Sequence, residues 1–513
     1  MKKLNMMKSC AVVSCVLLVM AVPLFFAACD TGTSGKTGGT KTDADFSTWN
    51  DWLAYKYGKA FGWDPINGLD NPKTPITGNM SAEEYIFSKG LNAGWNLGNT
   101  YDLNSNPRYY AGGGRPAGRY DLLMPGIKAA GFNVIRIPVT WGPGDAGGGG
   151  NSSGTGANTL VPAAFLDDVE AAVAEAHKAG LAVIINTHHD KGFFRLDLAG
   201  QSYLTDGVNG ADYISYTERF KAVWSQIALR FKDYGDWLIF ESLNEPTVTD
   251  ENGAVIWDDA PKPAYNQVLS NWNQAFIDSV RDTGGNNDKR YLIFKAYGAK
   301  LLPAITPGNG YSWPVDPSGA GRLIFSFHYY IPAGLALDGS SFAWSANNAK
   351  VYKSTYLNAQ NEFIKKGIPV LCGETSAIFQ SARTGVDSIQ ANQNRLLLLN
   401  LIGNVGRTYG IIPCLWDNAM LRQGDPTLNE ENHALFKRNT DMDPDSDNWG
   451  QPVDYTLRTM SWNNPENAAY NDPDYGVTVI NAFIDAVNGK TDQGMPEYSE
   501  KLKELMTANG LSF

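Results

Sequence analysis

Short apolar runs alternate with amphipathic segments along most of the chain. The runs are apolar on both faces and rich in β-branched residues, a pattern typical of buried parallel strands. Eight of them predict strands at residues 91–99, 133–140, 181–189, 237–245, 291–297, 323–330, 369–375 and 411–418. Between them, apolar residues recur at helical spacing, which indicates helices packed against a sheet.

The predicted helices have recognisable starts and ends. Ser81 and Glu84 have the spacing of a capping box, so a helix is expected to begin there, before the first strand. Further helices are predicted at 163–178, 217–234, 266–281, 350–366, 389–407, 477–487 and 496–508. Residues 423–475 show little periodicity and are expected to form a long excursion after the last strand.

Strand and helix alternating eight times predict an α/β fold, a (β/α)8 TIM barrel, as a single domain over residues 46–513. A doubly wound open sheet is the competing fold, but it needs a Gly-rich phosphate turn after an early strand. The glycine clusters at 112–114 and 147–150 have neither that spacing nor that context. In a TIM barrel the carboxyl ends of all strands meet at one face, so residues there are expected to form one site.

Chemically capable residues end most of the predicted strands. Two are carboxylates, Glu245 and Glu374, and burying a carboxylate at a strand end is costly unless it is paired or used. The others are Arg136, His188, His328, Tyr330 and Trp416. Two carboxyl groups at one site are what glycosidic bond cleavage generally needs, since one protonates the leaving oxygen and the other attacks the sugar or activates water.

Seven motifs in order resemble those of glycoside hydrolase family 5, the cellulase family. They are Gly-Trp-Asn-Leu-Gly-Asn at 94–99, Arg-Ile-Pro-Val-Thr-Trp at 136–141, Asn-Thr-His-His-Asp at 186–190, Leu-Asn-Glu-Pro at 243–246, His-Tyr-Tyr at 328–330, Gly-Glu at 373–374 and Leu-Trp-Asp-Asn at 415–418. Each motif lies at the end of a predicted strand. The first is most similar to the endoglucanase branch of the family.

The resemblance implies a role for each matching position. Glu245 is implied to be the acid/base and Glu374 the nucleophile. The implied supporting residues are Arg136, which keeps the nucleophile ionised, His188, Asn244 at the sugar 2-hydroxyl, His328 near the acid/base, and Tyr330, which donates to the nucleophile. Trp416 is implied to be the apolar floor under the sugar. Further candidates for sugar contacts are Asn99, Asp102 and His189, with Trp95, Trp141, Trp257, Trp313 and Trp344 as platforms.

The function expected from this resemblance is that of an O-glycosyl hydrolase, a retaining endo-β-1,4-glycanase. An endoglucanase acting on β-1,4-glucan, mixed-linkage glucan or xyloglucan is favoured, with its carboxyl groups about 5–5.5 Å apart. An endo-β-mannanase is the alternative. From another class, a non-catalytic tethered glycan-binding protein would use the aromatic platforms but has no need of paired acids.

The histidines raise a metal-dependent hydrolase as a further alternative. Adjacent His188 and His189 on a strand are expected to point to opposite sides, so they cannot easily share an ion. A metal-activated water also needs about three protein ligands in open geometry. We therefore predict no metal and no cofactor.

Composition fits a neutral, flat-faced substrate. Aromatic residues make up 12% of the chain, with 14 Trp and 24 Tyr, and such side chains stack on sugar rings. The formal net charge of −11 repels nucleic acid, so no nucleic-acid partner is expected. The expected partner is a β-linked polysaccharide, and the expected oligomeric state is a monomer.

The N-terminus predicts export. Lys2, Lys3 and Lys8 precede an apolar stretch that ends in Phe-Ala-Ala-Cys at 26–29. This resembles a bacterial lipoprotein signal, with residues 1–28 as the signal peptide and Cys29 as the lipidated residue. Residues 29–45 form a flexible Gly/Thr/Ser tether to the catalytic domain. We expect a cell-envelope protein held by its lipid alone, or a secreted one if Cys29 is not lipidated; an uncleaved anchor is the other alternative.

Two cysteines remain in the body of the chain. Cys372 and Cys414 each lie two residues before a candidate site residue, so strand alternation predicts that both point into the barrel. They could form a disulfide in an oxidising compartment or remain as buried thiols.

Overall fold

The computed structural model describes residues 41–102, 120–143, 149–250, 254–319, 321–379, 387–418, 433, 435–440, 452–460, 469–470 and 477–490. The residues Asp43–Phe513 form one compact unit. Among the residues that the structure describes, no helix is both long enough and apolar enough to cross a bilayer.

Eight parallel strands close into a barrel, as predicted from the alternation of apolar runs. They are β1 (Gly94–Leu97), β2 (Val134–Ile137), β3 (Ala182–Asn186), β4 (Leu238–Glu241), β5 (Leu292–Lys295), β6 (Leu323–His328), β7 (Val370–Thr375) and β8 (Ile411–Asp417). Each pairs with its neighbours in sequence, and β8 closes the barrel against β1. The strand ends therefore share one face.

Helices surround the barrel. They are α1 (Trp49–Tyr57), α2 (Ala82–Lys89), α3 (Tyr120–Ala129), α4 (Ala163–Lys178), α5 (Lys191–Phe194), α6 (Leu196–Asp206), α7 (Ala211–Arg230), α8 (Pro263–Arg281), α9 (Leu301–Ile305), α10 (Ala346–Glu362), α11 (Ser388–Tyr409) and α12 (Val479–Val487). The helix predicted at 496–508 lies outside the described residues. Ser81 caps α2 by accepting from the backbone N–H of Glu84, and Gly90 ends it at a φ of 68°.

The barrel interior changes character along its axis. Its lower part is filled by apolar side chains from alternate positions of the strands, including Val134, Ile184, Ile239, Ile293, Ile324, Leu371 and Ile412. Nearer the carboxyl ends, the inward positions carry Asn96, Arg136, Glu241, Lys295 and Glu374, all buried. The barrel is thus an apolar cylinder that supports a polar network at its mouth.

A β-bulge in β7 shifts the alternation of that strand. Phe327 pairs with Cys372 but His328 pairs with Glu374, so one residue, Gly373, is extra. A Cβ at Gly373 would lie 2.7 Å from Ser326 Oγ, so the bulge needs glycine there.

The bulge overturns the predicted direction of one cysteine. Cys372 packs among the side chains that face the helices, whereas Cys414 lies in the barrel interior. The expectation that both point inward is therefore wrong for Cys372, because alternation does not hold across an extra residue. Both are buried free thiols, so the disulfide alternative is not realised.

Two small β-elements lie outside the barrel. A hairpin of Val248–Thr249 and Val255–Ile256 follows β4. Phe436–Thr440, Pro452–Met460, Ala469–Tyr470 and Val477–Thr478 form a four-stranded sheet with antiparallel pairings. The predicted excursion after the last strand thus contains regular structure, which its weak periodicity did not reveal.

Candidate active site

One arginine organises the barrel mouth. Arg136 in β2 is fully buried, and each nitrogen of its guanidinium donates to a different partner. Nη1 donates to Glu374 Oε1 at 2.7 Å and to Asn96 Oδ1 at 3.0 Å. Nη2 donates to Asn244 Oδ1 at 2.7 Å, and Nε to Glu241 Oε2 at 2.6 Å. This rigid fork fixes two carboxylates and two amides in place.

Glu374 is surrounded by donors. Besides Arg136, the hydroxyl of Tyr330 donates to Oε2 at 3.0 Å. His188 Nε2 lies 4.0 Å from Oε1, and His328 Nδ1 lies 3.5 Å from Oε2. Burial raises the pKa of Tyr330 well above its usual value, with the charge of Glu374 adding to the shift, so the phenol stays protonated. The arrangement stabilises a negative charge on Glu374.

Glu245 has the opposite environment. It follows β4, its side chain is 21% exposed, and Oε1 lies 2.9 Å from His328 Nδ1. One of its oxygens lies within 4.8 Å of an oxygen of Glu374. Burial, followed by the charge of Glu374, raises the pKa of Glu245 to about 7. Glu245 can therefore hold a proton at neutral pH beside Glu374, whose oxygens accept from Arg136 and Tyr330.

Two buried charged residues of this network were not predicted from the sequence. Glu241 ends β4 and Lys295 ends β5; both side chains are fully buried, and Lys295 Nζ lies 3.0 Å from Glu241 Oε1. Burial alone would raise the pKa of Glu241, but the charges of Arg136 and Lys295 outweigh it and lower the pKa. The signal was present, because each residue ends an apolar run two positions after an inward isoleucine.

His188 lies beside the aromatic floor of the mouth. Its ring is stacked parallel to Trp416, with the ring centres 5.8 Å apart and an interplanar angle of 7°. Its Nδ1 contacts Asn186 Nδ2 at 3.2 Å. Burial, with nearby positive charges, lowers the pKa of His188 well below its usual value, so the ring is neutral.

The predicted separation of His188 and His189 is wrong. Their rings are in edge contact with centres 4.4 Å apart, because both residues follow the end of β3, where strand alternation no longer applies. One ring nitrogen or carboxylate oxygen from each of Asp102, His188 and His189 lies within 4.8 Å of the corresponding atoms of the other two. The same holds for Glu245, His328 and Glu374. Burial lowers the pKa values of both histidines, and the positive charge of Arg136 adds to the lowering.

The predicted tryptophans fall into three groups. Trp416 and Trp257 line the cleft, and Trp257 is 49% exposed. Trp95 and Trp141 are fully buried and do not line it: Trp95 Nε1 donates to Asp417, and Trp141 Nε1 donates to the carbonyl of Asn186. Their assignment as sugar contacts is corrected, since strand alternation turns Trp95 outward from Asn96. Trp313 and Trp344 pack against the core outside the cleft.

A cleft of about 830 Å³ opens over these groups. Its lining includes Asn99, His188, His189, Asn244, Glu245, His328, Tyr330, Glu374 and Trp416 from the predicted set, together with His433. Asn99 adopts a φ of 54°, a conformation that asparagine tolerates. Two carboxyl groups beside an aromatic floor in an open groove can cleave and hold a chain of sugars.

Comparisons with known proteins are consistent with one another. Residues 108–420 match the cellulase model, glycosyl hydrolase family 5. The chain is 31% identical over 425 residues to endoglucanase A of Paenibacillus barcinonensis, covering 78% of this chain and 97% of that one. It is 32% identical over 364 residues to a xyloglucan-specific endo-beta-1,4-glucanase of Bacteroides ovatus, covering 66% of each.

A similar likeness is found among solved structures. A family 5 xyloglucanase from Paenibacillus pabuli superimposes with a TM-score of 0.56 at 27% identity, covering 77% of this chain and 98% of that chain. A broad-specificity endoglucanase from Ruminococcus champanellensis with bound cellotriose has a TM-score of 0.56 at 25% identity, covering 71% and 95%.

Proposed function

Since the chain belongs to glycosyl hydrolase family 5, the cellulase family, we propose that it is a retaining endo-β-1,4-glucanase with Glu245 as acid/base and Glu374 as nucleophile. The observation that carries this proposal is the carboxylate pair, with oxygens within 4.8 Å of each other and with different partners. Retaining glycosidases place their carboxyl groups about 5–5.5 Å apart, whereas inverting ones leave room for a water at about 6.5–9.5 Å.

In the first step, Glu374 attacks the anomeric carbon while Glu245 gives its proton to the leaving oxygen. The glycosidic bond breaks and an ester bond forms between the sugar and Glu374. Asn244 is oriented for the 2-hydroxyl: because Arg136 offers only donors, Asn244 turns Oδ1 towards it and leaves its Nδ2–H groups for the cleft.

In the second step, Glu245 changes role. Once Glu374 is esterified it carries no charge, and a cause of the raised pKa of Glu245 disappears. Glu245 then accepts a proton from water more readily, the water attacks the anomeric carbon, and the ester bond breaks. The pKa of Glu245 thus changes during the reaction with the charge of Glu374.

We propose that the substrates are β-1,4-glucans, including xyloglucan. The support is that curated relatives of this chain are named endoglucanases and one is a xyloglucan-specific enzyme. An open cleft of about 830 Å³ suits an internal segment of a polymer. The mannanase alternative is not favoured by these relatives, and the paired carboxyl groups argue against a purely binding protein.

We also propose that the protein is exported, anchored by a lipid on Cys29, and active as a monomer. The support is the apolar N-terminal stretch ending in Phe-Ala-Ala-Cys, which lies outside the described residues. Cys29→Ala should move the protein from a detergent-requiring envelope fraction to a soluble one. An unchanged distribution would refute lipid anchoring, and sedimentation of the detergent-free protein reports its oligomeric state.

The test of the proposed activity uses the chain from residue 30 onwards on β-glucan, xyloglucan, mannan and xylan. Initial products should have the β-anomeric form by ¹H NMR, and α-anomers would refute retention. Azide should restore turnover in both alanine variants, with opposite anomeric configurations of the glycosyl azide product. With 2,4-dinitrophenyl β-cellobioside, whose leaving group needs no proton, Glu374→Ala should give an α-glycosyl azide. Glu245→Ala should give a β-glycosyl azide on the same substrate, because its covalent intermediate still forms. Exchanged outcomes would reverse the two roles.

A further inference from the structure

Lys295 lies behind the cleft and yet contacts its catalytic network. Its side chain is fully buried and is not part of the cleft lining. Its Nζ lies 2.5 Å from His328 Nε2 and 3.0 Å from Glu241 Oε1. The other ring nitrogen of His328, Nδ1, lies 2.9 Å from Glu245 Oε1. A continuous chain of polar contacts therefore runs from Glu241 through Lys295 and His328 to the acid/base.

The chemistry of an ammonium group decides where the proton of His328 sits. Lysine offers three donors and no acceptor, so a charged Lys295 requires an unprotonated Nε2. Burial lowers the pKa of Lys295, and the carboxylate of Glu241, 3.0 Å away and itself paired with Arg136, opposes that shift and favours the charged form. Burial, followed by the charges of Lys295 and Arg136, lowers the pKa of His328 well below its usual value, so the ring carries a single proton. That proton is left on Nδ1.

We propose that Lys295 is a positioning residue that holds His328 in its Nδ1–H tautomer and thereby keeps the catalytic proton of Glu245 on Oε2. With Nδ1–H donating to Oε1, that oxygen acts as acceptor, and the acid proton occupies the other oxygen. The inference rests on the proposed role of Glu245, and it names a residue that the cleft itself does not reveal.

Without Lys295, His328 can also adopt its Nε2–H tautomer. With the proton on Nε2, Nδ1 becomes an acceptor facing Oε1, and the proton of Glu245 is drawn to Oε1 and away from the sugar. The bond changes of the first step remain the same, namely cleavage of the anomeric C–O bond and formation of the ester to Glu374. The leaving oxygen, however, departs without its proton.

This loss depends on the leaving group. An ordinary sugar alkoxide needs the proton, and general acid catalysis contributes about 10²–10⁴-fold. A dinitrophenolate is a stable anion and departs without it. A purely structural role of Lys295 would slow both substrates alike, so the ratio of the two rates separates positioning from scaffolding.

The experiment compares wild type, Lys295→Met and Lys191→Met in the chain from residue 30 onwards. Lys191→Met is the matched control, since the charge of Lys191 also acts on Glu245 but no contact joins Lys191 to His328 among the described residues. For Lys295→Met we expect kcat/KM on cellotetraose to fall by about 30–100-fold, because part of the contribution of general acid catalysis, about 10²–10⁴-fold, is lost. On 2,4-dinitrophenyl β-cellobioside we expect a change below about 3-fold by the same reasoning. Equal losses on both substrates would overturn the proposal.

The tautomer is measured directly by ¹⁵N NMR of histidine-labelled protein, which has five histidines. His328 should carry its proton on Nδ1 in wild type and in Lys191→Met, and shift towards Nε2–H in Lys295→Met. Lys295→Gln keeps a donor without the charge and should restore part of the Nδ1–H signal. A wild-type His328 protonated on Nε2 overturns the proposal even if Lys295→Met does not fold. A wild type that hydrolyses neither substrate would instead count against the proposed function.

Discussion

Replacing Glu374 by Gln should lower the pKa of Glu245. The substitution removes a negative charge within 4.8 Å of an acid/base oxygen while keeping the shape of the side chain. At 4.8 Å, two unit charges interact by about 0.9 kcal/mol in bulk water and about 3.5 kcal/mol at an effective dielectric constant of about 20. These energies correspond to about 0.6 and about 2.5 pH units.

A shift between these two limits applies, because the Glu245 side chain is 21% exposed and is therefore only partly screened by water. Burial remains in the variant and is the largest cause of the raised pKa, so the value should fall from about 7 without reaching that of a free glutamate. We expect a fall of about 1–2 pH units. The sign follows from the charge: a neighbouring anion disfavours ionisation of Glu245, and its removal lets the proton leave at lower pH.

The assay is ¹³C NMR of protein labelled at the glutamate carboxyl carbon, with the Glu245 signal identified from its absence in Glu245→Gln. Titration of wild type and Glu374→Gln gives both pKa values in the same buffer. A pKa of Glu245 that stays near 7 in the variant would refute the charge coupling and leave burial as its sole origin. A rise would contradict the assigned sign.

Further predictions concern pH, the arginine fork, the tyrosine and packing. In wild type, kcat/KM should fall as the pH rises through about 7, because Glu245 must be protonated; a pH-independent rate from 6 to 9 would contradict this. Arg136→Lys cannot form the fork, so the melting temperature should fall and kcat/KM should drop about 100-fold or more, with a drop below 5-fold counting against the network. Tyr330→Phe removes one donor to a carboxylate and should cost about 10–100-fold in kcat/KM, with little change in unfolding free energy. Gly94→Ala would place a Cβ 2.1 Å from Cys414 Sγ and should reduce the unfolding free energy by about 1–3 kcal/mol, whereas Gly126→Ala, with open space around it, should not.

The barrel could be predicted because each strand is a compact apolar run. The shared face at the carboxyl ends of the strands could be predicted from the same pattern. The polar network could be predicted only in part. Arg136 and Glu374 were identified as strand-end residues, whereas Glu241 and Lys295 were missed because the predicted strands continue past them, to residues 245 and 297. Two opposite charges on neighbouring strands become a pair only when the strand register is known, and register is not visible in periodicity alone.

Local irregularities explain the remaining errors. An extra residue at Gly373 turns Cys372 outward, and the end of β3 lets His188 and His189 meet; both are departures from strand alternation. Trp95 was misplaced for the opposite reason, because alternation does hold in β1 and turns its ring away from the cleft. In each case the direction of a side chain near a strand end was predicted without knowing the backbone pairing there. That pairing determines whether alternation continues, stops or shifts by one residue.

The exposed ring of Trp257 belongs to a segment outside the cylinder, directly after the small hairpin that follows β4. The residues that carry the reaction and this part of the cleft wall therefore lie on separate stretches of sequence. Replacing residues 248–257 would change this wall of the cleft while Arg136 and its partners, including Asn244, keep their sequence. For protein engineering, this makes the hairpin a suitable target for a library and the strand ends positions to hold constant.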